Sequence, residues 1–367
     1  MIADTGRVGK RECASLVCIS FLISGLFALN TERTYASGNS AYVSTPLAGL
    51  IALLIFLLAL AAMKKSGALD LYALFSHAFG RAAAAVLSVV CALALLVAAA
   101  LPLIRILIIL SRYIYPEAAV SEVAVFFAPC LIVPLLLGFE TIARTGKLFF
   151  VLTVLSFAIA FLVAAPSFDP SHLYPLLGDG LPALLQNTLF GTERFLPALT
   201  ALLILAKSAQ GLKSAASSAR IGALAGALLC GVALLLLGLI YPYAELSKMH
   251  APMYRITMAV RMGSAYLRTD KVLLFFWTVA GFLTALFYTF AAAEVFCRAF
   301  NAGDVRPAGA AFGMCVSAFI LIGHENFPWL EAAAAFLSEW LWAFFALPIL
   351  LSAAVAALRK QGRAAYA

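Results

Sequence analysis

Residues 82–104 read AAAAVLSVVCALALLVAAALPLI, without one charged side chain. About 20 apolar residues in a helix are enough to cross the hydrocarbon core of a bilayer. The stretches 148–168, 221–244 and 272–293 meet the same requirement and are also free of charge. The 367 residues are 64% hydrophobic and only 11% charged, and the mean hydropathy is +1.03. A soluble domain carries roughly 25% charged residues because its surface faces water. The surface of this chain must face lipid instead.

The pattern predicts an all-α polytopic membrane protein of ten spans: 12–29, 46–63, 82–110, 119–138, 147–165, 183–206, 219–241, 272–297, 308–323 and 333–358. The ninth is the shortest. No low-complexity linker interrupts them, so residues 1–367 read as a single transmembrane domain. The first span starts too late and is too polar for a cleavable leader. Arg7, Lys10 and Arg11 precede it, Asn30-Thr31-Glu32 follow it, and no small-x-small cleavage site stands out.

A net charge of +8 would suggest nucleic acid as partner of a soluble protein. In a membrane protein it is better read as topology, because cytoplasmic loops collect Lys and Arg. Placing the N-terminus inside puts sixteen of the 25 basic residues in the cytoplasm, among them Lys64, Lys65, Arg144, Lys147, Arg220 and Arg359. Both termini are therefore expected to be cytoplasmic. The outer loop 243–271 breaks the rule, with Lys248, Arg255, Arg261, Arg268 and Lys271. Within it Thr257, Arg261, Ser264 and Arg268 recur at helical spacing, and Ile256, Val260, Gly263 and Leu267 take another face. That is an amphipathic helix, lying on membrane lipid or against the bundle.

Seven cysteines are scattered through the spans without a CxxC pair, and the four histidines do not cluster with them. Neither a metal site nor a cofactor is expected. GxSxG, P-loop, HExxH and glycine-rich dinucleotide patterns are all absent from the sequence, so nothing indicates an enzyme.

Ten spans divide into two halves of five, 12–165 and 183–358. Transporters are often built from inverted repeats whose first helices are broken at mid-membrane, where substrate binds. Gly25 stands in the first span after Ser24, and Gly191 stands in the sixth before Thr192, Glu193 and Arg194. A charge inside the membrane is a functional hypothesis by default. Glu193 can meet an ammonium, a proton or a coupling cation, or form a structural ion pair with Arg105. Arg105 in turn either snorkels to the headgroups or faces a cavity and binds a carboxylate. Glu140–Arg144 and Glu294–Arg298 have the spacing of i,i+4 surface pairs. Thr284 and Tyr288 share a face of the eighth span, with Thr289 beside them. Their hydroxyls either bond a neighbouring helix or line a polar cavity.

Four stretches carry a resemblance to a known family. They are Gly138-Phe-Glu140-Thr-Ile-Ala-Arg144; Tyr174-Pro-Leu-Leu-Gly178-Asp-Gly180 leading to Phe190-Gly191-Thr192-Glu193; Pro252-Met-Tyr254-Arg-Ile followed by Tyr266-Leu-Arg268-Thr-Asp270 and Trp277; and Leu103-Ile-Arg105. In order and placement they resemble the permease-like B subunits of spore germinant receptors, the endospore germination permeases of the amino acid–polyamine–organocation superfamily. The resemblance covers about 10–358. It implies a five-plus-five inverted repeat of the LeuT type and a place in the inner spore membrane. It also implies an A subunit and a lipoprotein C subunit as partners, and a small, commonly amino-acid, germinant as ligand. The sensing site would fall around Ser24, Gly25, Gly191, Thr192 and Glu193. Two positions differ from the family's pattern: Asn39-Ser40 stands where a more charged pair is expected, and Arg194 directly follows Glu193. The same fold would also suit an amino-acid permease driven by protons or sodium ions.

Overall fold

The computed structural model describes residues 8–27, 31–249, 251–259, 269–323 and 327–358, which form helices and turns with no strand. In chain order the helices are α1 (Lys10–Leu26), α2 (Thr31–Thr34), α3 (Ala41–Ser66), α4 (Leu71–Phe79), α5 (Arg81–Ile109), α6 (Val120–Val125), α7 (Phe127–Leu137) and α8 (Phe139–Ala164). There follow α9 (Leu181–Gly191), α10 (Leu196–Ile204), α11 (Leu212–Ile240), α12 (Tyr243–Leu246), α13 (Pro252–Ala259), α14 (Thr269–Ala299), α15 (Val305–Gly323) and α16 (Phe327–Leu358).

Seven segments are long and apolar enough to cross a membrane among the described residues, from Gly38–Ser66 to Val305–Ile322. The 17 residues of α1, the interrupted pair α9–α10 and the long α16 supply the other three of the ten expected spans. The chain is an integral membrane protein. Fourth-span residues 119–138 form two helices, α6 and α7, rather than one. The fifth helix starts earlier than expected, at Phe139, so Glu140 and Arg144 lie on its first turns, where they form an ion pair.

Helix ends follow local chemistry. Lys64 and Lys65 occupy the last turn of α3, where cations suit the carbonyl end of a helix, and Gly67 caps it with a left-handed φ of 71°. Asp70 caps α4 by accepting the Ala73 N–H at 2.8 Å.

Lipid offers no hydrophobic drive between helices, so close approach through small residues holds a bundle together. α1 and α11 use this device. A Cβ on Gly222 would lie 2.5 Å from the Ala14 carbonyl oxygen, and one on Gly226 would lie 2.6 Å from Cβ of Phe21. Three of the largest other contacts pair helices of equal rank in the two halves: α3 with α11, α5 with α14, α7 with α15. The cross-contacts repeat as well. α8 packs on α14 as α16 packs on α5, and α1 packs on α8 as α10 packs on α16. A five-plus-five arrangement requires this duplication.

One end of the bundle gathers the N-terminal segment (Val8 N–H to Ser208 O, 3.1 Å), the Glu12–Lys147 ion pair (3.4 Å) and the α4–α14 contact described below. The opposite end gathers the segment after α2, the 165–180 connection and the α11–α13 region. In loop 243–271, α12 and α13 are helical, and α13 packs on α8 and α14. Residues 260–268, which carry most of the expected amphipathic pattern, lie outside the described residues.

Candidate functional site

The sixth helix breaks where the sequence places Glu193. α9 ends at Gly191, residues Thr192–Arg194 form a single 3-10 turn, and α10 restarts at Leu196. The local cause is Pro197, which stands at the start of α10 and has no N–H. The Glu193 carbonyl therefore loses the partner that a continuous helix would give it.

Glu193 is 3% exposed. Its Oε1 lies 3.6 Å from the Arg33 guanidinium, and Arg33 also stands over the Phe190 ring at 5.4 Å, within range of a cation–π attraction. Sequence reasoning missed Arg33 because it sits in a polar stretch read as an outer connection. The structure carries it on α2, directly after α1, back onto the break. Arg194 shares this neighbourhood with Glu193, Arg33, Tyr35 and Cys230. The Tyr35 hydroxyl is buried with no hydrogen-bond partner among the described residues. Two guanidiniums, one carboxylate and a phenol thus converge at one level of the bundle.

The first helix departs from expectation. α1 runs without interruption through Ser24 and Gly25 to Leu26, so its regular part ends beyond Gly25 rather than at it. Gly25 serves close packing: a Cβ there would lie 2.7 Å from Cys230 Sγ and 3.5 Å from Phe195. The Cys230 thiol reaches the Phe21 carbonyl at 3.3 Å, and the Phe21 and Phe195 rings lie 4.6 Å apart. The end of α1 is therefore seated directly on the broken sixth helix.

The remaining candidates divide. The Tyr288 hydroxyl on α14 faces Ser20 and Ser24 on α1, but among the described residues neither it nor the Ser20 hydroxyl makes a hydrogen bond of good geometry. Thr289 is also buried without a hydrogen-bond partner among the described residues. Thr284 returns its hydroxyl to the Ala280 carbonyl (2.9 Å), and Thr192 returns its own to Thr188 (3.1 Å). Gly191 packs against Ala48 of α3. Arg105 is 2% exposed, so it does not snorkel to the headgroups. It lies within α5, whose main neighbours are α14, α4 and α16. The Glu294–Arg298 pair is not a surface pair. Arg298 holds Glu294 (2.6 Å) and Asp70 (2.6 Å) together, and all three side chains are mostly buried. Asp70 arrives from a residue 228 positions away, which spacing within one helix could not reveal.

Beside the site a network of side-chain hydrogen bonds ties the segment after α2 to α9 and to the 165–180 connection. Asn187 of α9 donates to the Thr34 carbonyl (3.1 Å), Ser37 Oγ (2.9 Å) and Ser44 Oγ (3.2 Å). Asn39 donates to the carbonyls of His172 (3.0 Å) and Tyr174 (3.1 Å), and Tyr42 donates to that of Leu176 (3.1 Å). Asp169 anchors the same connection by accepting the Ser171 N–H at 2.8 Å. The Ser171 hydroxyl and that backbone bond hold the Asp169 carboxyl below its ordinary range. Gly178 (φ 57°) lies so close to Ser37 that a Cβ would overlap its carbonyl oxygen. Next to Thr34 a pocket lined by Gly25, Tyr35 and Pro252 holds only about 10 Å³, room for one water at most.

Comparison with known proteins agrees with this architecture. The sequence pattern of a family described as spore germination protein matches residues 7–325. No curated protein matches the sequence. Among solved structures, the fold is similar to that of a Na+-coupled sialic acid symporter captured in a substrate-bound outward-open state. The TM-score is 0.69 at 11% identity, over 95% of this chain and 81% of that one. It is also similar to a manganese transporter of Eremococcus coleocola in complex with an aromatic bis-isothiourea compound. Here the TM-score is 0.63 at 15% identity, over 95% of this chain and 78% of that one. These likenesses establish the LeuT-type transporter fold.

Proposed function

The chain belongs to the spore germination protein family, and on that premise we propose that it is the nutrient-sensing, permease-like subunit of a germinant receptor. The ion pair between the partly buried Arg33 and the buried Glu193 carries this reading. It joins the segment after the first helix to the break in the sixth. A zwitterionic amino acid has the two charges needed to replace it. Its ammonium takes Glu193, and its carboxylate takes Arg33, with Arg194 beside it and the freed amides and carbonyls of the break for support. Such a ligand separates the pair and compensates both halves, so it favours an open arrangement over the closed one. A ligand shifts an equilibrium only through its different affinity for the two states, and the Arg33–Glu193 contact, intact in one and replaced in the other, supplies that difference.

In this reading Ser24, Gly25, Gly191, Thr192 and Glu193 form the sensing junction, with Thr284, Tyr288 and Arg105 on the helices behind it. The repeats run over 12–165 and 183–358. The protein sits in the inner spore membrane with both termini in the core, and works with an A subunit and a lipoprotein C subunit. The outer loop 243–271 faces those partners or anionic lipid. Spores carrying Glu193→Gln, given a panel of amino acids, test the site. We expect normal amounts of membrane protein and loss of the response, and a full response removes the site.

One observation favours a second reading, that of a cation-coupled amino-acid permease. The unpartnered hydroxyls of Ser20 and Tyr288 face each other between α1 and α14. Uptake of labelled amino acid by the protein alone in sealed vesicles, with and without a sodium or proton gradient, distinguishes the two.

A further inference from the structure

A second cavity lies outside this site. It measures about 400 Å³ and runs between α8 and α11, with Leu22 of α1 at its back. The lining is hydrocarbon: Phe157, Phe161 and Leu162 on one wall, Val232 and Ala233 on the other. It opens sideways to the bilayer, since Leu162 is 73% and Val232 45% exposed. Along α8 the lining runs from Val154 to the helix end at Ala164, about 15 Å at 1.5 Å per residue, and continues to Ala165 and Phe168 in the turn that follows. Beyond Phe168 the chain turns polar at once, with Asp169, Ser171 and His172.

We propose that this cavity binds one hydrocarbon chain of a membrane phospholipid. Three properties converge on that occupant. The walls give no hydrogen bond, so the occupant is apolar where it is enclosed. Spread over the part that lies along α8, the volume of about 400 Å³ leaves a cross-section of at most about 27 Å², whereas a helix with its side chains is about 10–12 Å wide. One extended chain fits, and a partner's helix does not. The change from apolar wall to polar turn at Asp169 matches the change from tail to headgroup in an amphiphile. An apolar cavity that opens to liquid hydrocarbon fills with it, because unfilled space forfeits dispersion contacts on every wall.

The position gives the bound chain a route to the site. Phe157 forms part of the wall, and its ring stacks on Trp277 at 5.0 Å and 17°. Trp277 lies 5.5 Å from Phe27, the residue that caps α1, and its indole N–H donates to Ser156 Oγ at 2.9 Å. A chain in the cavity presses Phe157 into this stack and steadies the end of the first helix.

The test uses the full-length protein in lipid nanodiscs containing a phosphatidylglycerol with a photoactivatable diazirine midway along one acyl chain. Adducts are mapped residue by residue. We expect them concentrated on Phe157, Phe161 and Ala233, several-fold above the lipid-exposed Leu148 and Val151. They should fall to the level of those two in Ala158→Phe and Ala233→Phe, which fill the cavity. Ala158→Leu is the milder variant, and an unchanged unfolding midpoint shows that each variant is folded. If none folds, the distribution in the parent protein decides. Adducts spread evenly over the exposed surface overturn the proposal, and so do adducts unaffected by filling. A photoreactive residue at Ala158 that crosslinks to another protein in native membranes, rather than to lipid, also overturns it.

Discussion

At the scale of single residues, Glu193 and Arg33 decide the energetics of the site. Glu193 faces two guanidiniums, Arg33 and Arg194, so the charges do not cancel one for one. Arg33→Gln leaves Arg194 beside the carboxylate, whereas Glu193→Gln removes the carboxylate that both cations face, so Glu193→Gln should be the more destabilising of the two. A thermal-unfolding cycle in detergent with the double variant checks the coupling. Strictly additive losses would show that the pair contributes nothing to the folded form. Glu193 was legible in the sequence because a carboxylate inside an apolar run is costly to keep and so marks a site or a pair. Arg33 was not, since a cation among Asn30, Thr31, Glu32 and Thr34 looks like any solvated loop residue. Only the fold brings it across 160 positions of chain. Glu294 and Arg298 teach the same lesson: i,i+4 spacing implies a pair but says nothing of burial.

At the scale of elements, the break in the sixth helix was read from Gly191 beside Glu193. Pro197 adds to it by removing a donor, but proline alone does not mark a break, since Pro46, Pro102 and Pro134 stand inside continuous helices. Gly25 was the weaker signal. Glycine permits unwinding without requiring it, and here the missing side chain makes room for Cys230 instead. The α4–α14 junction yields a graded prediction. Asp70→Asn keeps the helix cap but loses the charged bond to Arg298, which is worth about 1.5–3 kcal/mol. Asp70→Ala loses the cap as well, about 1 kcal/mol more. Unfolding midpoints should rank parent, Asn variant, Ala variant in that order. An Asn variant equal to the parent would mean that Glu294 alone satisfies Arg298. Elsewhere, Gly178→Ala has no room against Ser37, so it should displace the 165–180 connection and increase proteolysis there. Unchanged protease resistance would show that the connection yields at no cost.

At the scale of the whole molecule, composition and ten apolar stretches made the fold class legible, because lipid constrains backbone more severely than water does. The duplicated pairing of helices was not legible, since it depends on contacts between distant segments. Sidedness rests on charge counting and can be measured directly. With Cys130 and Cys315 replaced, single cysteines at Ser66 and Leu177 should react with an impermeant maleimide from opposite faces, Ser66 from the inside. Labelling from the same face would reject the ten-span topology.

The thiol of Cys230 extends this from sides to time. It is fully buried and wedged between Gly25 and the Phe21 carbonyl, so a reagent reaches it only while the first helix stands away from the seventh. Its rate of alkylation therefore counts openings. The parent protein carries its own clock, one that should run faster in Asn187→Ala, where three bonds beside the site are gone, and faster again when ligand is added.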